Sequence, residues 1–317
     1  MMLQYLIVQL DAASPSFCHY SNGGSSGLMP VETLRKAIFF AMTENLIVQF
    51  LVPDAPLPTE YETLMRKVEH SIIARQGVRA DADVEIVEGI PDGEPTGWRT
   101  DGVYIVRTSK DELYSRCTQL ARLILCSLRV NVVLTDVERF TDGDYPRYEQ
   151  ALAQMADVVA GSMKRGTPLP QSNILTDRLM LGDMNNCNAG VSSVTLMPNG
   201  KFYVCPAFYI DGGYDLSQGD QSIGSLDEGL DIPNPQLYDI KHAPICRRCD
   251  AWQCRRCVWL NRRLTNDVNT PSHQQCVISH LERRQSKLLG QRLQVKPEWP
   301  IPDLHYDDPF AIATQWK

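Results

Sequence analysis

Long hydrophobic runs are missing from this sequence of 317 residues. The first apolar run extends only from Tyr5 to Val8, far short of the roughly 18 apolar residues that a membrane-spanning helix needs. No basic segment precedes this run, so the start of the chain does not have the pattern of a secretory signal. We therefore expect a protein without a membrane partner, located in the cytoplasm.

An excess of positive charge is also absent. Lys and Arg number 31 against 38 Asp and Glu, which gives a formal net charge of −7 and a sequence pI of about 5.4. Such a chain has no overall positive field that would attract a polyanion. The composition thus argues against nucleic acid as a partner.

Short β-rich runs alternate with longer helical patterns over the first 170 residues. The pattern predicts strands at 5–10, 46–52, 83–87, 103–107 and 130–134. It predicts helices at 31–43, 59–73, 110–128 and 145–163, and Ser109 with Glu112 resembles a capping box before the third helix. Alternation of this kind indicates a parallel sheet with crossover helices. An incomplete (β/α) barrel and an open doubly wound sheet both fit the number of elements.

A polar, Pro-containing segment at 161–170 is typical of a linker. We therefore expect an α/β domain over residues 1–170, a cysteine-rich domain over 171–290 and a C-terminal tail over 291–317. In the second domain, two alternating runs flank Asn199-Gly200, and Asn-Gly between such runs predicts a β-hairpin. Cys205 then lies at the end of the second strand of this hairpin.

Ten cysteines are distributed unevenly along the chain. Cys117 and Cys126 lie in an amphipathic helical pattern, where a thiol usually packs as a small hydrophobic group. Seven others fall within 90 residues, and in a chain without an export signal such crowding indicates metal binding rather than disulfides. These seven are Cys187, Cys205, Cys246, Cys249, Cys254, Cys257 and Cys276.

The spacing of the central cysteines distinguishes two kinds of metal site. From Cys246 to Cys257 the chain reads C-x2-C-x4-C-x2-C, and two such pairs can supply the four thiolates of a zinc site. In zinc modules, however, about a dozen or more residues usually separate the pairs, whereas here only residues 250–253 do so. Closely spaced thiolates are typical of [4Fe–4S] ligation. The sequence thus favours iron–sulfur clusters, with structural zinc as the alternative.

The order of the seven cysteines resembles the SPASM domain, the C-terminal module of many radical SAM peptide-modifying enzymes. Gly200 and Cys205 fit its G-x4-C element, while the central block is one residue shorter than the family pattern at each of its last two spacings. The segments 184–190 and 198–208 most resemble the CXXX-repeat peptide maturases. The resemblance implies two [4Fe–4S] clusters, one of them with an open coordination site. It assigns Cys246, Cys249, Cys254 and Cys276 to the first cluster, and Cys187, Cys205 and Cys257 to the second.

The first domain departs from that family in two places. A radical SAM enzyme carries C-x3-C-x2-C after its first strand, and these thiolates hold the cluster that binds S-adenosylmethionine (AdoMet). Here only Cys18 is present, because Pro15 and Asp11 occupy the other two positions. The Gly-Gly-Glu segment expected after the second strand is also missing from residues 48–54. We therefore expect an incomplete (β/α) barrel of the radical SAM type with a degenerate motif that does not bind AdoMet.

An accessory domain beside a missing catalytic motif suggests an iron–sulfur subunit of a ribosomal-peptide maturation system. Such a subunit would bind the precursor peptide and assist electron transfer to an active radical SAM maturase in a heterodimer. Two alternatives stay open: a peptide-modifying enzyme with atypical cluster ligation, and a zinc-stabilised binding protein. Asp11 and Cys18, at the carboxyl end of the first strand, are weak candidates for catalytic residues.

Other residues near these motifs have a structural and a functional interpretation. His19, His70 and His273 are isolated in the sequence and are expected to lie at the surface or to pack. Trp252 and Trp259 are expected to shield the clusters from solvent. Six arginines would either offset the negative charge of a cluster or form a solvated basic patch. They lie at positions 247, 248, 255, 256, 262 and 263.

Overall fold

The computed structural model describes residues 3–21, 27–93, 97–163, 169–210 and 219–295. The strands in these ranges are β1 Tyr5–Gln9, β2 Ile47–Leu51, β3 His70–Arg75, β4 Val84–Glu88, β5 Val103–Thr108, β6 Arg129–Leu134, β7 Gln171–Ser172, β8 Ser193–Leu196, β9 Phe202–Tyr203, β10 Gly224–Ser225 and β11 Gly229–Leu230. The α-helices are α1 Val31–Thr43, α2 Thr59–Met65, α3 Lys110–Leu125, α4 Asp144–Ser162, α5 Asp177–Met180, α6 Ala207–Ile210, α7 Val258–Thr265 and α8 His273–Leu293. None of the helices in the described ranges has the length and apolar character needed to cross a bilayer.

The main sheet has the order β7-β6-β5-β4-β3-β2-β1-β8-β9. All neighbours from β7 to β8 are parallel, whereas β9 runs antiparallel to β8. Strands β1 to β7 follow one another in space as in sequence, so their crossovers advance in one direction, unlike those of a doubly wound sheet. β8 then pairs with β1 on its other edge, as the last strand of a barrel does. The order therefore agrees with the incomplete (β/α) barrel and excludes the doubly wound alternative.

The two faces of the sheet have different neighbours, because successive side chains of a strand point to opposite sides. On the helix side, Leu6 and Phe50 belong to the large core and are 0% exposed. On the inner side, Leu51, Ile73 and Ile86 form a smaller apolar cluster. Side chains from β1 to β6 line one cavity on this inner side. The sheet thus curves around the cavity as a partial barrel.

Most elements of the first domain agree with the sequence prediction. The five predicted strands lie within one residue of β1, β2, β4, β5 and β6. The third helix has the predicted cap, in which Ser109 Oγ accepts the N–H of Glu112 at 3.3 Å. The predicted hairpin is present as β8 and β9 on either side of Asn199-Gly200.

The prediction of a helix over 59–73 is wrong after Met65. Helix α2 ends there, and the chain forms strand β3 from His70 to Arg75. Ile72 and Ile73 are 5% and 6% exposed although they point to opposite faces of the sheet. A short apolar run that is buried on both faces has no alternation, so periodicity does not separate it from a helix.

The C-terminal segment packs on the barrel. Helix α8 lies against α4, where the hydroxyl of Tyr148 donates to Glu282 Oε1 at 2.8 Å. The main sheet also continues past residue 170, because β7, β8 and β9 follow it. The division into 1–170, 171–290 and 291–317 stays a prediction, and residues 296–317 of the tail lie outside the described residues.

Candidate iron–sulfur sites

The loop after β1 carries Cys18 at the carboxyl edge of the parallel strands, where sites in such sheets form. Arg107 of β5 holds this loop, since its Nε donates to the carbonyl oxygen of Cys18 at 3.0 Å and its Nη2 to that of Tyr20 at 2.8 Å. The Nδ1 atom of His19 lies 2.8 Å from the carbonyl oxygen of Leu134 in β6. The backbone around Cys18 is therefore tied to strands on the far side of the barrel from β1.

Asp11 and Pro15 occupy the positions at which a radical SAM enzyme has its other two cysteines. Asp11 is 5% exposed. Its Oδ1 accepts the N–H of Ala13 at 2.8 Å and that of Gly27 at 3.1 Å. These bonds join the start of the loop to the point at Gly27 where the chain returns. Asp11 therefore has a structural role. A catalytic role of Asp11 stays a prediction.

Three further cysteines meet Cys18 at the barrel opening. The N–H of Cys187 donates to the carbonyl oxygen of Arg255 at 2.8 Å, which places Cys187 beside the loop that leads to Cys257. Cys205 follows strand β9 of the hairpin. The sulfurs of Cys18 and Cys257 lie within 4.8 Å of each other, and both residues interact electrostatically with the other two thiols. We call these four residues, Cys18, Cys187, Cys205 and Cys257, the barrel-mouth group.

The thiols of the barrel-mouth group differ in their readiness to ionise. The hydrogen bond with Cys257 lowers the pKa of Cys18 to about 5. The same contact, together with burial, raises the pKa of Cys257. Burial also raises the pKa of Cys187 and that of Cys205. Since the thiolate is the form that binds metals, Cys18 is the first member of the group to reach it.

The remaining four cysteines form a second group. Cys246 and Cys249 flank one short 3-10 helix, and Cys276 lies in the first turn of α8, after its N-cap Ser272. All four line one small cavity, and Cys246 interacts electrostatically with the other three. We call them the C-terminal group: Cys246, Cys249, Cys254 and Cys276.

A buried arginine lies between the two groups. Arg256 is 0% exposed. It interacts electrostatically with Cys246 and Cys254 of the C-terminal group and with Cys187 of the barrel-mouth group. The other five arginines predicted around the thiolates are at least partly exposed. Arg256 is therefore the arginine placed to offset the negative charge of the thiolates. The other five fit the alternative of a solvated basic patch.

Every nitrogen of Arg256 is directed at an acceptor. Nε donates to Asn186 Oδ1 at 3.0 Å, and Nη1 donates to Asn269 Oδ1 at 2.7 Å. Nη2 donates to the carbonyl oxygen of Tyr238. Arg256 itself has a φ angle of +43°, a conformation that non-glycine residues rarely adopt. The side chain thus ties together three segments that surround the cysteines.

Both tryptophans near the cysteines are buried. Trp252 is 3% exposed and Trp259 is 5% exposed. The guanidinium of Arg178 covers the ring of Trp252 at 4.0 Å from the centroid, and Arg178 Nε donates to the carbonyl oxygen of Asp250 at 2.6 Å. This burial is what a shielding role requires.

The inner face of the barrel and the barrel-mouth group enclose a cavity of about 590 Å³. Cys254 of the C-terminal group also lines it, so the two groups are neighbours. Glu282 of α8 forms part of the same wall and is 7% exposed. Its Oε1 accepts from Tyr148 and its Oε2 from Gln253 Nε2 at 3.4 Å. Burial raises the pKa of Glu282 to about 7.

The three isolated histidines have different surroundings. His19 lies with Cys18 and Cys257 in a set whose possible ligand atoms are all within 4.8 Å of one another. The ring of His70 packs edge-on to Phe50 at 5.4 Å between centroids. The ring of His273 contacts Tyr145 at 6.2 Å. His70 therefore packs on the sheet and His273 lies at the surface beside Tyr145, whereas His19 belongs to the site.

No protein family model and no curated protein sequence matches the chain. Among solved structures, native anSMEcpe with bound AdoMet and the Cp18Cys peptide has a TM-score of 0.62 to this chain, with 12% identity over 92% of this chain and 100% of that one. The chain has the radical SAM fold. The resemblance inferred from the sequence is thus confirmed at the level of the fold, since anSMEcpe is a SPASM-domain radical SAM maturase. Streptococcus suis SuiB bound to its precursor peptide SuiA has a TM-score of 0.44, with 12% identity over 68% of this chain and 62% of that one.

The radical SAM fold implies two kinds of cofactor, [4Fe–4S] clusters and AdoMet. The residues of this chain fit the two differently. Eight buried or half-buried thiols stand in two groups of four, the number that a [4Fe–4S] cluster takes. These donors fit two such clusters. The AdoMet-binding cluster needs three cysteines after β1, and in this chain Asp11, Pro15 and Cys18 occupy those positions. The donor set after β1 therefore does not fit that cluster, and the expected absence of AdoMet binding stays a prediction.

Sequence reasoning missed the residues that position the barrel-mouth group. Arg107 is 6% exposed and pairs with Glu88 at 2.6 Å as well as holding the Cys18 loop. Arg107 follows four apolar residues in the strand Val103–Thr108. A charged residue at such a position is the sequence signal by which it could have been found. Glu282 offered no comparable signal, because a glutamate among the charged residues of a long helix is usually exposed.

Proposed function

We propose that this chain is an iron–sulfur subunit of a ribosomal-peptide maturation system. It does not cleave AdoMet itself and assists a partner radical SAM enzyme by binding peptide and by carrying electrons. One observation supports this proposal above the others: the single cysteine left in the radical SAM loop, Cys18, lines the same cavity as Cys187, Cys205 and Cys257. A thiol in that position is engaged with the accessory cysteines and does not start a separate AdoMet-binding site.

The arrangement of the two groups favours electron transfer. [4Fe–4S] clusters bound to these thiols would supply one-electron redox chemistry. Cys254 of the C-terminal group also lines the barrel-mouth cavity, and Arg256 interacts electrostatically with thiols of both groups. The buried guanidinium of Arg256 offsets negative charge at both sites, which raises the potential of a thiolate-ligated cluster.

The cavity at the barrel opening is the candidate site for peptide. Its volume of about 590 Å³ is within the range of ligand sites. Apolar strand residues form its floor, and the amides of Gln49, Asn185 and Asn188 line its wall together with the thiols. Side-chain amides can pair with the backbone of an extended peptide. The anSMEcpe structure of the same fold contains a bound peptide, which is consistent with this assignment.

The test uses the anaerobically reconstituted chain with AdoMet, a strong reductant and a candidate precursor peptide. We expect no 5′-deoxyadenosine from the chain alone. We expect co-elution with an active radical SAM maturase after co-expression, and faster peptide modification by that maturase when this chain is present. Turnover of AdoMet by the isolated chain would favour instead the alternative of an enzyme with atypical cluster ligation.

A zinc-stabilised binding protein remains the second candidate, and a specific observation favours it. Cys18, His19 and Cys257 place their ligand atoms within 4.8 Å of one another, and a mixed set of thiolates and imidazole is common at zinc sites. Metal analysis of the purified chain separates the two candidates, because the zinc protein would contain no iron and no acid-labile sulfide.

A further inference from the structure

The fourth coordination position of the barrel-mouth site is the point that the cysteine pattern left open. The SPASM resemblance supplies three thiolates there, Cys187, Cys205 and Cys257. The structure adds a fourth thiol from a distant part of the chain. The thiol sulfurs of Cys18 and Cys257 lie within 4.8 Å of each other, and all four cysteines line the same cavity.

We infer that Cys18 is the fourth ligand of the iron–sulfur cluster at the barrel-mouth group. The inference rests on the iron–sulfur part of the proposed function. On binding, each of the four thiols gives up its proton to solvent and forms one Fe–S bond as a thiolate. The loop that holds the AdoMet-binding cluster in a radical SAM enzyme therefore closes an accessory cluster in this chain.

The local structure holds Cys18 in the position that ligation requires. Arg107 donates to the carbonyl oxygens of Cys18 and Tyr20 from one side of the loop. Ser16 Oγ bonds the N–H of Cys18 at 3.3 Å from within the loop. Metal ligands are held by hydrogen bonds of this kind in well-ordered sites. The backbone of Cys18 cannot move away from the other three cysteines without breaking these bonds.

His19 is the competing ligand. A carbonyl oxygen only accepts hydrogen bonds, so the contact with Leu134 requires the proton of His19 on Nδ1. The lone pair is then on Nε2, which leaves the imidazole able to ligate a metal. Cys18 is the better candidate for a cluster, because thiolates are the usual ligands of [4Fe–4S] centres. The substitutions Cys18→Ala and His19→Gln separate the two.

Ligation by Cys18 has a consequence for the whole chain. All eight thiols of the two groups are then used by two clusters, and each cluster has four thiolates. Cys117 hydrogen-bonds to Gln154 and Cys126 is exposed at the C-cap of α3, and neither lines the cavity. No thiol then remains for an AdoMet-binding cluster after β1. This agrees with the proposed role as a subunit that does not cleave AdoMet itself.

The first experiment compares variants of the reconstituted full chain by iron content and electron paramagnetic resonance. The wild type should contain about eight irons, and Cys126→Ala should match it. Cys18→Ala should lose between one and about four irons and, after mild oxidation, show a [3Fe–4S] signal. Ferrous iron, a reductant and 2-mercaptoethanol added together should restore the [4Fe–4S] spectrum, because the added thiolate takes the place of Cys18 on the fourth iron. His19→Gln should keep the wild-type iron content.

A second experiment needs no variant and so does not depend on the folding of one. The wild-type chain is alkylated before and after iron is removed by a chelator, and each cysteine is followed by mass spectrometry. Cys18 should be protected together with Cys187, Cys205 and Cys257 while iron is bound, and should react after its removal. Cys126 should react in both states.

The outcomes distinguish the inference from the function it rests on. Full iron content and an unchanged spectrum in Cys18→Ala would overturn the inference alone, as would rapid alkylation of Cys18 in the iron-loaded wild type. A loss of iron in His19→Gln with none in Cys18→Ala would transfer the ligand role to His19. Zinc without iron in the wild type would overturn the proposed function as well.

Discussion

The two cysteine groups are built in different ways. The C-terminal group takes all its thiols from residues 246–276, within a loop and the start of α8. The barrel-mouth group takes one thiol from each of four segments, between residue 18 and residue 257. A site made from neighbouring residues depends mainly on its own loop, whereas a site assembled from distant segments depends on the fold. The second kind therefore needs positioning residues that the first does not.

The largest effect is expected where the two groups share a residue. Arg256→Met removes the hydrogen bonds that Arg256 donates to Asn186, Asn269 and the carbonyl oxygen of Tyr238. It also removes the positive charge that interacts with thiols of both groups. Each buried acceptor left without its hydrogen bond costs about 1–3 kcal/mol of unfolding free energy. We expect reduced iron content at both groups, measured by metal analysis and by chemical denaturation under anaerobic conditions. Arg248→Met, at an exposed position two residues after Cys246, is the control and should change stability by less than about 0.5 kcal/mol.

Arg107→Met should separate the groups. It removes the bonds that hold the Cys18 loop, but it does not contact the C-terminal group. We expect the iron content to fall from about eight to about four, with the cluster of the C-terminal group retained. Arg75→Met, at the end of β3 with a half-exposed ion pair to Asp54, is the matched control. Equal loss at both groups would contradict the separate positioning of the two sites.

Glu282→Gln should change the pH dependence of stability. The folded pKa of about 7 lies above the roughly 4.3 of an unfolded glutamate. The stability that this proton contributes is therefore fully present below about pH 4 and is lost as the pH rises through about 7. The wild type should lose up to about 4 kcal/mol of unfolding free energy over this interval.

Unfolding curves at pH 5.5 and pH 8 measure this difference. Glu282→Gln has no proton to lose, so its stability should change less between the two pH values than that of the wild type. Tyr148 can still donate to the Gln side chain. Glu69→Gln, at an exposed position, is the control and should follow the wild-type curve. Parallel curves for wild type and Glu282→Gln would show that the burial of Glu282 does not control this dependence.

The smallest effect is expected at His280, which lies beside a thiol of the C-terminal group. Its Nε2 lies 3.7 Å from Cys249 Sγ. Removing a hydrogen bond to a ligand sulfur lowers the potential of a cluster. His280→Leu should therefore lower the midpoint potential of the cluster at the C-terminal group, without loss of iron, in a redox titration followed by paramagnetic resonance. His242→Leu, at an exposed position, should leave both potentials unchanged.

The features that could be predicted from the sequence are those formed by residues close together in the chain. The spacing from Cys246 to Cys257 is local, and it indicated the kind of metal site. The capping box at Ser109 and the hairpin at Asn199-Gly200 are local as well, and both are present. Cys18 gave no such indication, because its partners lie at least 169 positions away, at Cys187 and beyond.

The remaining differences have physical reasons of the same kind. Strand β3 was missed because Ile72 and Ile73 are buried on both faces of the sheet, which removes the alternation of a strand. Arg256 was one of six arginines close to the cysteines in sequence, and nothing in the sequence distinguished it from the others. It is buried only through tertiary packing. Spacing therefore predicts which residues can ligate, whereas burial and hydrogen bonds decide which residues position them.

The most direct test of the account is the iron, sulfide and zinc content of the wild-type chain after anaerobic purification. Two groups of four thiolates predict about eight irons and about eight sulfides per chain, without zinc. About twelve irons would contradict the account, because a third cluster would then exist beside the two groups. One zinc and no iron would contradict it more completely and leave a structural binding protein.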